Sequence, residues 1–240
     1  MDKFWFYTIA LGLFFLISGG IIFFVTKNQA SNEKKKHWLK YVVTLSLVFP
    51  LIFIFMQQSY TLYAIGVIAL LGLYEIQHVL AEKKGFARFA ISFFFLIILI
   101  PIFFNPLILE TATPLYFFVV IFEGLSEALG QVLNGPKLWS SLGLKQTWLG
   151  TLGALLILSI LGYFVYGHLY GITSVLFIAV LAFIGKLLAA AIKRKAGTHS
   201  FSQLAPGHGG ILEIFDGFLF SLAAFTWIQM GIMFTSYPTI

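Results

Sequence analysis

Residues 171–195 read GITSVLFIAVLAFIGKLLAAAIKRK, an apolar run with a single lysine, Lys186, in its second half and three basic residues at its end. Crossing the hydrocarbon core of a bilayer takes about 20 apolar residues, so this stretch reads as a spanning helix. Lys193, Arg194 and Lys195 then read as its cytoplasmic flank. Small residues recur along the run at helix-packing spacing, which predicts close contact with a neighbouring helix. Working outward, the same criterion finds eight runs, near 4–26, 38–56, 59–80, 89–110, 113–133, 148–168, 170–192 and 211–235. With 60% hydrophobic and 10% charged residues in 240, the composition excludes a water-soluble domain. The expected fold is an all-α polytopic membrane protein of about eight transmembrane helices with a cytoplasm-facing polar cavity. It is expected to be a single integral membrane domain over 1–240, because no polar stretch is long enough to fold separately.

Charge orders the spans. Lys27, Lys34, Lys35, Lys36, Lys40, Lys83, Lys84, Arg88, Lys137, Lys145, Lys193, Arg194 and Lys195 fall at alternate gaps, leaving only Lys3 and Lys186 elsewhere. The positive-inside rule then puts every basic gap in the cytoplasm and both termini outside; the expected location is the plasma (inner) membrane. The net charge of +6 needs no nucleic-acid partner, since topology accounts for it. Without cysteine there is neither a disulfide nor a thiolate metal site. No internal repeat is evident, which argues against a transporter of inverted halves.

Ionisable residues within the spans carry the functional information, because each is expensive in hydrocarbon unless it is paired or faces water. Glu123 and Glu127 lie four apart on one face of the fifth run, and Glu213 and Asp216 three apart on one face of the eighth. Lys186 lies at the same depth, either as a structural partner of one of these acids or as part of a site. Glu75 and His78 read as side chains snorkelling to the interface. The stretch 206–216, PGHGGILEIFD, leads into the eighth run. Its glycines permit a tight turn whose free amides, at a helix N-terminus, would favour an anion such as phosphate. His208 is placed to meet a phosphate or move a proton, and Glu213 and Asp216 offer oxygen ligands for Mg2+. Basic residues, an anion nest and carboxylates together point to phosphoryl or nucleotidyl transfer.

On these residues the chain resembles the phosphatidate cytidylyltransferase (CDP-diacylglycerol synthase) family. KR at 193–194 followed by PGHGGILEIFD is similar to the family's Lys-Arg, Pro-Gly-His-Gly-Gly and Asp-Arg-x-Asp signature. EGLSEALGQVLNGPKLWSSLGLKQTWLGTLG at 123–153 is similar to its Asp-led helix and Ser-Pro-x-Lys-Thr-Trp-x-Gly loop, and LGLYEIQHVLAEKKGF at 71–86 to its Glu-containing third helix. The resemblance places the family-like site in 113–235 and implies a CDP-activated lipid made from CTP, or another nucleotide, and phosphatidic acid or a related anionic lipid, with release of pyrophosphate. It implies catalytic roles for Lys193, Arg194 and His208, and substrate binding by Lys145, Thr147, Gly207, Gly209 and Gly210; Lys186, which departs from the pattern, is expected to join the catalytic set as a fixed positive charge in place of one cation. Glu123, Glu213 and Asp216 would hold Mg2+. The family pattern is altered at Gly143, Leu144, Gln146, Ala190, His199 and Ser200, and at Lys186 an ammonium stands where the family has a carboxylate. Two readings follow, an adapted enzyme or a noncatalytic homologue that binds a lipid headgroup or nucleotide, or assembles with a membrane partner. Small-residue helix faces permit a homodimer.

Overall fold

The computed structural model describes residues 3–27, 30–81, 85–144 and 146–236, except for the side chains of 3, 4, 168 and 233–236. Apolar residues in long uninterrupted runs must satisfy their backbone internally, and helices do so. The helices are α1 (Lys3–Thr26), α2 (Ser31–Met56), α3 (Gln58–Val79), α4 (Gly85–Leu99), α5 (Ile108–Leu133), α6 (Trp148–Tyr166), α7 (His168–Ala196) and α8 (Leu212–Ser236), with a 3-10 turn at Ile100–Phe103 extending α4. Among the described residues there is no strand, only isolated bridges between Lys137 and Thr147 and between Ala205 and Gly209. All eight helices, α4 with its 3-10 extension, are long and apolar enough to cross a membrane. The chain is an all-α integral membrane protein.

Several boundaries differ from the sequence reading. The fourth run, expected over 89–110, ends at Phe103, and α5 starts at Ile108 rather than 113. Asn105 and Pro106 make the break. The Asn105 side chain accepts from Leu107 N at 3.0 Å and donates to Gln229 Oε1 at 2.8 Å, tying the turn to α8. At the other end of the bundle, α2 and α7 extend well into the polar gaps. α2 gains a first turn carrying the Glu33–Lys36 ion pair, and α7 runs through Lys195 before Gly197 closes it in the left-handed conformation.

α5 is the central post. Tyr116, Phe117, Phe118 and Phe122 on it are buried, and Tyr116 packs edge-on against Phe55 of α2 and Phe218 of α8 while its hydroxyl donates to Val48 O at 3.1 Å. Outward-facing aromatics such as Phe86, Phe104 and Phe164 are at least three-quarters exposed, the surface a bilayer covers. Small residues set the helix spacing, as the sequence predicts for α7. A Cβ on Gly162 would lie 2.6 Å from the Gly171 carbonyl oxygen, and one on Gly185 would lie 2.7 Å from the Asp216 carbonyl oxygen. The second contact draws α7 onto α8 one residue before Lys186, which is what positions the site.

Candidate functional site

The loop between α7 and α8 is fastened before it reaches the site. Ala205 N donates to Gly209 O and Gly209 N returns a bond to Ala205 O, each at 2.9 Å, closing a turn over 205–209. Gly207 and Gly209 have φ of 82° and 108°, in the region that favours glycine. A Cβ on Gly207 would sit 3.1 Å from Lys40 Cα, so the turn rests directly on the α2 backbone. Beyond it, the fully buried Glu75 of α3 accepts from Ile211 N and Leu212 N, both at 2.8 Å, and from the Ser202 hydroxyl at 2.6 Å. Glu213 accepts from Gly210 N at 2.9 Å.

These bonds correct two expectations. Glu75 is not snorkelling to an interface; it is the buried anion at the N-terminus of α8, where free amides and the helix dipole favour negative charge. The amides of residues 208–212 are engaged by Ala205 O, Glu213 and Glu75, so the glycine-rich turn presents no open phosphate cradle in this conformation. His78, by contrast, is exposed and stacks on Tyr74.

Behind the turn lies a cavity of about 340 Å³ that gathers α1, α2, α5, α7 and α8. Three lysine–carboxylate pairs line it. Lys186 Nζ lies 3.1 Å from Glu123 Oε2 and 3.8 Å from Asp216 Oδ1, with all three side chains less than one-fifth exposed. Lys193 pairs with Glu213, and Lys40 of α2 pairs with Glu127. Asp216 Oδ1 also accepts from Gly217 N at 2.6 Å, whereas the buried Glu123 Oε1 and Gln146 Oε1 have no hydrogen-bond partner among the described residues. His208 forms part of the wall, its Nε2 3.1 Å from the Thr44 hydroxyl of α2. Ion pairs held this far from water need their partners in place, because a lone buried charge is strongly destabilising.

Of the residues singled out from sequence, Lys186, Lys193, His208, Gly207, Glu123, Glu213 and Asp216 share this cavity. Thr147 does not line it; the residue is buried as the N-cap of α6, accepting from Gly150 N at 3.1 Å. Arg194 is exposed, with its guanidinium against Gly143, and Gly209 and Gly210 shape the turn without forming the wall. Lys145 lies outside the described residues. Sequence reasoning missed Lys40, His37 and Thr44, which α2 contributes to the same wall. The signal was present, since Lys40, counted with the basic gap, also lies within the bounds of the apolar run 38–56.

The expected Mg2+ ligands do not fit a metal as they stand. Mg2+ needs oxygens converging at about 2.0–2.1 Å, but the Lys186 ammonium occupies the space between Glu123 and Asp216, and Glu213 is turned to Lys193. Among the described residues no three His, Asp or Glu side chains group closely enough to hold an ion.

Comparison with known proteins agrees with the resemblance read from the sequence. Residues 115–232 match the Cytidylyltransferase family, a segment from within α5 to within α8 that holds Lys186, Lys193, His208 and the four carboxylates. The chain is 25% identical over 203 residues to the phosphatidate cytidylyltransferase of Bacillus subtilis (strain 168), covering 80% of this chain and 67% of that protein. It is 33% identical over 108 residues to the phosphatidate cytidylyltransferase of Helicobacter pylori, covering 42% and 41%. With that of Staphylococcus aureus (strain COL) it shares 31% identity over 119 residues, 45% of each. The aligned part thus spans two-thirds of the first relative and less than half of the other two. No solved structure matches the chain.

Proposed function

We propose, from the premise that the chain is a divergent relative of the phosphatidate cytidylyltransferases, that it transfers a cytidylyl group from CTP to an anionic phospholipid. A phosphate oxygen of phosphatidic acid attacks the α-phosphorus of CTP, the bond from that phosphorus to the oxygen bridging to the β-phosphate breaks, and pyrophosphate leaves with the electron pair. CDP-diacylglycerol is the product. Such displacements depend mainly on positioning and charge neutralisation. Here that charge would come from Lys186 and Lys193 as the substrate phosphates displace their carboxylate partners, with His208 lining the same cavity for a phosphate oxygen or proton. Arg194, exposed at the end of α7, is where the departing pyrophosphate would meet further positive charge. A cavity of about 340 Å³ is within the usual range for small-ligand sites.

The observation that carries this reading is the gathering of three lysine–carboxylate pairs around one cavity whose other wall is apolar. Phe14, Phe15, Ile21 and Ile22 of α1 form that apolar side. The basic gaps support a cavity that opens to the cytoplasm, with both termini outside.

A second reading is supported by the same lysine. With Lys186 paired to both acids and no metal cluster formed among the described residues, a homologue that binds the nucleotide or headgroup without turning it over has the same cavity. Purified protein incubated with CTP and phosphatidic acid, with and without Mg2+, separates the two. Pyrophosphate release coupled to CDP-diacylglycerol supports transfer. Binding of CTP without release supports the noncatalytic reading and sinks the enzyme.

A further inference from the structure

The lysine–carboxylate pairs leave the cavity without spare positive charge. Among the described residues that line it, three lysines face four carboxylates, and each lysine already holds a partner. A nucleoside triphosphate is negative on every phosphate. When its oxygens take an ammonium, the carboxylate that loses the contact is left inside the bundle beside a new anion, and an uncompensated buried charge is strongly destabilising. The lysines alone therefore do not neutralise such a ligand. A further cation has to arrive with it.

Two acceptors point the same way. The buried Glu123 Oε1 and Gln146 Oε1 have no hydrogen-bond partner among the described residues, and both residues line the cavity. A buried acceptor costs free energy until a donor reaches it. A bare phosphate brings acceptors only, whereas the waters that Mg2+ keeps around itself bring donors.

The protein's own oxygens are not arranged to take that cation directly. Gly185 packs so closely on the Asp216 carbonyl that it fixes α7 against α8, and Lys186, the next residue, keeps its ammonium 3.1 Å from Glu123 and 3.8 Å from Asp216. Glu123 Oε1 lies against α8 where only a glycine, Gly217, admits it, since a Cβ there would collide with the carboxylate. Glu213 is held at both oxygens, by Lys193 and by Gly210 N. An ammonium has three N–H donors. Giving up its longer contact, to Asp216, frees one donor for a phosphate without vacating the space between the two acids.

We infer that the divalent ion enters on the nucleotide and stays there: the ligand is a metal–nucleoside triphosphate chelate, and Glu123 and Asp216 meet its metal only through water while Lys186 remains the fixed cation beside them. This rests on reading the cavity as a nucleotide site and says which species of nucleotide it takes. No protein oxygen enters the metal's coordination shell. A shell that cannot exchange its ligands is therefore accepted as readily as one that can.

Binding to the full chain in detergent or nanodiscs tests this with Mg2+ alone, CTP with EDTA, Mg2+·CTP, and the chromium(III)·CTP chelate, whose coordination shell does not exchange during the measurement. Mg2+ alone should not bind. The two chelates should bind within about threefold of each other and at least about tenfold more tightly than CTP with EDTA. In Lys186→Asp, where a carboxylate replaces the ammonium, Mg2+·CTP should instead bind at least about tenfold more tightly than the chromium chelate. Mg2+ binding to the wild type without nucleotide, a chromium chelate that binds the wild type about tenfold more weakly than Mg2+·CTP, or CTP with EDTA as tight as either chelate would overturn the inference. A folded Lys186→Asp that accepts both chelates equally would also overturn it, by showing that the ammonium is not what keeps protein oxygens off the metal. All of these failures leave nucleotide binding in place. No binding of nucleotide in any form sinks the transfer reading and the inference together, whereas the expected pattern without CDP-diacylglycerol formation upholds the inference and sinks transfer.

Discussion

Glu75 and Glu123 are both carboxylates inside the bundle, and they are held in opposite ways. Glu75 takes neutral donors only, two backbone amides and a hydroxyl, and both its oxygens are occupied. Glu123 takes an ammonium on Oε2 and leaves Oε1 without a hydrogen-bond partner among the described residues. Backbone donors cannot be exchanged without unwinding α8. A lysine at the end of four methylenes can be, which is the property a site that must release and accept anions requires. One end of α8 is therefore framework, and the next turn along it is working surface.

That contrast breaks first at Lys186. Replacing it by methionine leaves Glu123 and Asp216 facing each other without a cation, and removing one partner of a buried pair typically costs about 3–5 kcal/mol. Unfolding of Lys186→Met in detergent should show a loss of that order, and Lys186→Met/Glu123→Gln should recover much of it. A single variant as stable as the wild type would mean that the lysine reaches out to the membrane surface instead. Glu75→Gln comes next. The amide keeps one acceptor but sets its NH2 against a backbone N–H of α8, and a buried donor left unmet costs about 1–3 kcal/mol. Stability should drop by about that much, whether or not nucleotide is present; a drop abolished by CTP would move Glu75 from framework to working surface.

Lys186→Asp sharpens the comparison by replacing the ammonium with a third carboxylate between Glu123 and Asp216. Mg2+ should then raise the melting temperature of the variant and not that of the wild type, by the equivalent of about 1.4 kcal/mol with the ion at tenfold its dissociation constant. Equal Mg2+ responses in both proteins would contradict the metal-excluding geometry. The smallest effect is expected at Thr147. As an N-cap it should cost about 1 kcal/mol when replaced by alanine, with CTP affinity unchanged; a lost affinity with stability intact would return it to the substrate.

The spans were legible because twenty apolar residues and alternating basic gaps are one-dimensional signals. Helix ends were less so. Hydropathy locates the membrane, while α2 and α7 continue as helix into water, where Lys36 can pair with Glu33 and Gly197 provides the stop. The break at Asn105 was hidden because its anchor, Gln229, lies 124 residues away. Within the site, the shared depth of Glu123, Glu213, Asp216 and Lys186 could be read from helical spacing. Lys40 was obscured by counting it with the charges that set topology. The filled amides of the glycine turn could not be read at all, since two go back to Ala205 O within the turn, one to Glu213 and two to Glu75 on a distant helix.

The bonds from Glu75 to Ile211 and Leu212 cross 136 and 137 residues of sequence. A ribosome delivers α3 long before α8, so during synthesis this carboxylate is lodged among the early helices with its donors not yet made. Lys40 waits in the same way for Glu127. A chain halted before α8 therefore carries a bare acid within its hydrocarbon-spanning part. Arrival of α8 ends that exposure by bringing the Ile211 and Leu212 amides to the carboxylate.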